Sequence, residues 1–157
     1  MDLSDLNLRP SEDKSYDGLV EIPWFGESKY VQVYFAREDD CEPSAIQLQA
    51  LKNLIEHKKD IFHTLQDQLL NHYATIREKA QEYYSHEVFS EKFPIINNPY
   101  QLTKNLEIKS IILGYYGEKW CSYIGLVIDC SWDTEMGVGV KIVENNIVEI
   151  GEQDIVI

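Results

Sequence analysis

The sequence predicts an α+β fold, and three observations carry that reading. Apolar residues alternate with a period of two toward both ends of the chain. Between those stretches they recur every three or four residues, the spacing of one helix face. The two patterns are also segregated along the chain, which places helices on one face of a sheet instead of interleaving them between parallel strands. With 157 residues, 44% hydrophobic and 11% aromatic, the chain suits one globular domain over residues 18–157.

Residues 1–17 are polar and include Pro10, Ser11 and Ser15, so a flexible arm is expected there. Leu19–Phe25 and Lys29–Phe35 are rich in β-branched and aromatic residues, and Gly26-Glu27-Ser28 between them supplies turn chemistry for a hairpin. In the second strand Val31, Val33 and Phe35 share one face and Tyr30, Gln32 and Tyr34 the other. Pro23 has no N–H for a ladder, which favours an edge position for the first strand.

An acidic link, Glu38-Asp39-Asp40-Cys41-Glu42, leads to Ser44, a suitable helix N-cap. From Ala45 to Tyr84 there is no Gly or Pro, and Leu48, Leu51, Ile55, Phe62, Leu65, Leu69, Ile76, Ala80 and Tyr83 trace one stripe, interrupted at Lys58 and His72. A straight helix of that length would reach about 60 Å, far beyond the usual ~11–12 residues. The expected helical middle is therefore two helices or one kinked helix, broken at His57-Lys58-Lys59-Asp60.

Pro94 and Pro99 flank a loop, and Tyr100–Asn105 suits one helical turn. The remainder reads as an antiparallel meander of about four strands: Ile108–Leu113, Trp120–Cys130, Val138–Val143 and Ile147–Ile150. Gly125 marks a bulge or a close backbone approach, Asn145-Asn146 a two-residue turn, and Asp154–Ile157 a short last edge strand.

The formal net charge is −13 and is unevenly placed. Residues 1–42 hold eleven acids and four bases, residues 43–126 nine of each, and residues 127–157 seven acids with Lys141 as the one base. Such a field repels nucleic acid and speeds encounter with a basic protein. Were the hairpin and the meander to join in one sheet, their acids would form one negative side. No apolar run approaches the ~18–20 residues that span a bilayer, so no membrane partner is expected. The acidic start, Met1-Asp2-Leu3-Ser4-Asp5, and three cysteines without a Cys-x-x-Cys pair point to the reducing cytoplasm.

The densest cluster of functional groups is Asp129, Asp133 and Glu135, three carboxylates within seven residues. They could hold a hard cation or divide acid and base roles. The spacing fits no EF-hand, and no histidine adjoins it; an inter-strand turn with a buried Trp132 is the better account, ahead of partner contact and well ahead of catalysis. His57, His63, His72 and His86 contain no i, i+4 pair, and His57 and His72 would stand about 22 Å apart on one helix. There is no Gly-x-Ser-x-Gly elbow. Gly137-Val138-Gly139 is followed by strand, so it is no dinucleotide loop. Tyr83-Tyr84 and Tyr115-Tyr116 are expected to pack in the core or on the sheet. Neither an enzyme nor a cofactor or metal is expected.

Two stretches carry a resemblance. Pro43-Ser44 with Gln47, Ala50-Leu51 and Asn53, leading to Tyr73, is similar to the middle of an uncharacterised bacterial domain family. Asp129–Val140 through Val148-Glu149-Ile150-Gly151 resembles that family's C-terminal signature, Trp-Asp-x-Glu-His-Gly-x-Gly. Members occur among candidate immunity proteins of bacterial polymorphic toxin systems. The resemblance implies a cytoplasmic protein that neutralises a toxin, a basic one given the charge, by direct binding. Met136 stands where the family has His, so no metal or acid/base role of that His carries over. The expected partner-binding residues are Glu38, Asp39, Asp40, Asp129, Asp133 and Glu135. The alternatives are a metal-dependent hydrolase using Asp129, Asp133 and Glu135, or a structural or regulatory module of a larger assembly.

Overall fold

A computed structural model of the protein describes residues 9–10, 16–36, 43–114 and 123–157, with residues 9, 10, 16 and 17 described by their backbone alone. Among them are seven strands in one sheet: β1 (Arg9–Pro10), β2 (Tyr16–Trp24), β3 (Glu27–Phe35), β4 (Leu106–Leu113), β5 (Ile124–Cys130), β6 (Val138–Val143) and β7 (Asn146–Gly151). Their spatial order follows the chain, and every neighbouring pair is antiparallel except β3 and β4. That parallel pair is joined through two helices, α1 (Ala45–Ala80) and α2 (His86–Lys92), and a 3-10 turn at Pro99–Lys104. The fold is α+β, with an N-terminal hairpin, a long helix in the middle and a C-terminal antiparallel run.

Alternation along the strands builds the core. Val33, Ile111, Leu126, Val140 and Ile150 form one row across five strands, in register, on the face that meets α1. A bulge between Ile108 and Ser110 lets Ile108 and Ile111, three residues apart, both point into that core. The predicted faces of β3 are observed: Val31, Val33 and Phe35 are buried, while Tyr30 and Tyr34 are exposed. Over Gly18–Trp24 β2 has no outer partner among the described residues, as Pro23 requires.

Helix α1 is unbroken over 36 residues, and the break expected at His57–Asp60 does not occur. The helix starts with a capping box: Ser44 Oγ accepts from Gln47 N at 3.1 Å and Gln47 Oε1 accepts from Ser44 N at 3.0 Å. The same Gln47 side chain donates to the main-chain oxygens of Ala36 and Leu113, so the buried amide fastens the helix to the ends of β3 and β4. The expectation of a break assumed that nothing could cover so long a stripe. In fact the sheet curls around the helix. Lys58 Nζ donates to Glu21 O on β2 at 2.9 Å, while the adjacent His57 Nδ1 lies 3.4 Å from Asn145 Nδ2, in the turn before β7. Farther along, Tyr73 is covered by Phe93 and Trp132. The N-terminal hairpin and the C-terminal strands thus share one sheet, with β2 and the turn before β7 toward its opposite sides and both bordering the middle of α1.

Turns and tail differ in detail from expectation. The first hairpin turns at Phe25-Gly26, both at positive φ, because Phe25 uses that backbone to place its ring in the core, 4.9 Å from Trp24. The β6–β7 turn is Glu144-Asn145, one residue earlier than expected, with φ of 50° and 65°. Gln153–Ile155 forms a 3-10 turn instead of an edge strand. It carries Val156, which is buried over Gly125, where a Cβ would come within 2.7 Å of Val156 Cβ. Gly125 therefore marks a close approach. Of the arm expected over residues 1–17, Arg9 pairs with Asp17 and Pro10 with Tyr16; its other residues before Tyr16 lie outside the described ones.

Candidate functional site

The connection from β5 to β6 is a turn closed on Asp133. Its carboxylate Oδ1 accepts from Met136 N at 3.0 Å, and its main-chain oxygen accepts from Gly137 N at 3.0 Å and from the Cys130 thiol at 3.4 Å. Gly137 adopts a φ of 56°, which explains glycine there. The turn sends Trp132 inward, where its ring lies 4.8 Å from that of Tyr73. Tyr73 donates its hydroxyl to Pro94 O at 2.7 Å, and Arg77 Nε donates to Phe93 O at 3.0 Å while its guanidinium lies over Phe89. These contacts fold α2 back onto the end of α1.

Between the end of α1, α2 and this turn lies an open groove of about 550 Å³. Ile76, Ala80, Phe93 and Trp132 give it an apolar base; Lys79, Tyr83, Tyr84 and Lys92 line the helical side, and Asp133, Thr134 and Glu135 the turn side. Lys92 Nζ lies 5.0 Å above the Tyr84 ring. His72, two turns before Lys79 on the same face of α1, has its pKa lowered from the ordinary histidine value by burial and then by the Lys79 charge. Burial pushes the Cys130 thiol up to about 11, so it is protonated and a poor nucleophile at neutral pH.

The sequence-predicted site residues divide. Asp133 and Glu135 meet at the groove. Asp129 lies on the sheet face away from α1, where Oδ1 accepts from Gln153 Nε2 at 3.0 Å and Oδ2 is 3.9 Å from Lys109 Nζ. Among the described residues no three His, Cys, Asp or Glu side chains gather closely enough to hold a metal ion. Glu38, Asp39 and Asp40, like Tyr115 and Tyr116, lie outside the described residues. Lys79, Lys92, Tyr83 and Tyr84 were missed as site residues. Tyr83, 81% exposed after the end of α1, does not pack in the core or on the sheet as expected, whereas the Tyr84 ring lies 5.8 Å from that of the buried Phe93. Ser85, which caps α2 by accepting from Val88 N, was the available signal that the chain turns there.

A second surface is the convex face of the sheet. The C-terminal tail covers part of it: Gly139 lies under Glu152 and Ile155, and Gln153 Nε2 donates to Ile128 O at 2.8 Å. Over β2 and β3 it leaves Leu19 60%, Tyr30 71% and Tyr34 38% exposed. Glu21 stands opposite Tyr30 in the register.

Fold and site together define an α+β protein in which a curled sheet wraps one long helix and a short connecting turn builds a groove. Its sequence matches, over residues 7–157, the model of a family described as a domain of unknown function (DUF6985), and the chain belongs to that family. No curated protein and no solved structure matches it. No helix among the described residues is long and apolar enough to cross a membrane.

Proposed function

We propose that this chain is a protein-binding module, and specifically an immunity protein that neutralises a bacterial toxin domain in the cytoplasm by direct contact. The observation that carries the binding reading is the exposed aromatic patch of Leu19, Tyr30 and Tyr34 beside Glu21, on a chain of net charge −13. Tyrosine is enriched at protein interfaces because it supplies a large rigid apolar area with a polar tip. Glu21 beside the patch and the chain's net charge of −13 favour a basic partner and speed its approach. The toxin assignment is supported by the resemblance of Trp132–Gly139 and its flanks to candidate immunity proteins.

The test is co-expression with the product of the neighbouring upstream gene. The reading expects that its C-terminal domain arrests growth, that this chain relieves the arrest, and that the purified pair forms a complex whose association slows as salt rises. A toxic domain that this chain neither binds nor relieves would overturn it. Charge reversal at Glu38, Asp39 and Asp40 checks the electrostatic part: unchanged affinity and salt dependence would remove those residues from the interface.

A further inference from the structure

We infer, building on the protein-binding reading, that the groove between α1, α2 and the Trp132–Glu135 turn seats an extended segment of the protein partner, one in which an aromatic residue lies between an acidic and a basic one. Four observations converge on this occupant. The volume, about 550 Å³, is within the ~300–1,000 Å³ typical of sites that enclose a ligand-sized group. The base is apolar, with Trp132 and Phe93 fixed by ring contacts at 4.8 and 6.4 Å to Tyr73, so it is preformed and need not be ordered on binding.

The charges select the segment. Lys79 stands on the helical side and Glu135 on the turn side, and among the described residues neither Lys79 nor Lys92 pairs with Asp133 or Glu135. Opposite signs on opposite walls cannot be satisfied by a simple anion or a simple cation. A chain crossing the groove satisfies both, with its acidic side chain toward Lys79 and its basic one toward Glu135. The exposed Tyr83 ring at the rim offers the aromatic residue a stacking partner.

The probe is the capped peptide Asp-Gly-Trp-Gly-Arg, with capped Asp-Gly-Trp-Gly-Asp and Arg-Gly-Trp-Gly-Arg as comparators, titrated into the isotope-labelled full chain and followed by amide chemical shifts. The expected result is saturable shifts clustered at Lys79, Tyr83, Thr134 and Glu135, stronger for the first peptide. Both side chains to be changed are exposed, so folding is preserved. Glu135→Lys should weaken that peptide by about tenfold, the order of one charge-assisted contact. Lys79→Glu, which makes both walls negative, should shift the preference toward Arg-Gly-Trp-Gly-Arg. Equal binding of all three probes, shifts on the convex sheet face instead, or no shift at millimolar peptide would each overturn the inference. A partner that binds with unchanged affinity to Glu135→Lys but not to Tyr30→Ala would remove the groove and leave the proposed function standing. Groove-localised peptide binding without neutralisation of any toxin would do the reverse.

Discussion

Lys58 donates from its ammonium to the main-chain oxygen of Glu21, 2.9 Å away, and so closes part of the free edge of β2 with a side chain from the helix it wraps. An unpaired strand edge is a template for another chain, and a lysine laid across it is one way to block that. Lys58→Ala should therefore lower stability by only about 0.5–1.5 kcal/mol, the net worth of one hydrogen bond. It should also give concentration-dependent association, read by light scattering. A strictly monomeric variant at high concentration would show that Lys58 does not guard the edge.

Unbroken, α1 passes through the His57–Asp60 segment where charge and length suggested a break. Lys59 is exposed, so its substitutions test the backbone without disturbing the core. Lys59→Pro should destabilise by about 3 kcal/mol or more, and Lys59→Gly by about 1 kcal/mol, in urea denaturation. Were the two equally mild, the helix would be broken or frayed there in solution.

The fold was legible wherever a residue's neighbours in sequence decide its fate. Alternation in Tyr30–Phe35 and the cap at Ser44 both follow from local chemistry, and both are observed. The continuity of α1 was not legible, because it depends on a sheet that curls until Glu21 and Asn145, 124 positions apart in sequence, reach adjacent helical residues. The groove was half legible. Asp133 and Glu135 stood out as a carboxylate pair, whereas Lys79 and Lys92 looked like ordinary helix-surface lysines until α2 folded back.

Gly125 is seated under Val156, and the last residues of the chain cover the convex face only because that position has no side chain. Gly125→Val should lift the tail and cost about 1–3 kcal/mol, the usual penalty for overpacking a filled site. Removing residues 152–157 in the same background should make the two effects non-additive in a double-mutant cycle, since both act on one contact. Simple additivity would mean that the valine acts within β5 and not through the tail.

Trp132 links the turn between β5 and β6 to α1 through Tyr73, and it is 5% exposed. Trp132→Ala should cost about 3–5 kcal/mol, and Trp132→Phe distinctly less, by removal of buried aromatic area. Hydrogen exchange should quicken in α2 before β4, because α2 is held through the cluster that Trp132 completes. Uniform loss of protection across the chain would show instead that the turn belongs to the global core.

His72 links stability to pH. Its folded pKa lies below the ordinary value of 6.5, from burial first and the Lys79 charge second, so the folded state favours the neutral ring. Above 6.5 both folded and unfolded chains carry neutral His72, and its contribution to stability is fully present. As pH falls below 6.5 the unfolded chain takes up the proton first, so stability declines until the folded pKa is passed. Melting temperature measured from pH 8 down to 5 should therefore fall less steeply in His72→Gln than in the natural protein. Lys79→Gln should make the decline only partly shallower, ending it at a somewhat higher pH, because it raises the folded pKa by removing the smaller of the two causes. Identical slopes in all three proteins would mean that the acid sensitivity arises elsewhere, and that His72 is as accessible to protons when folded as when unfolded.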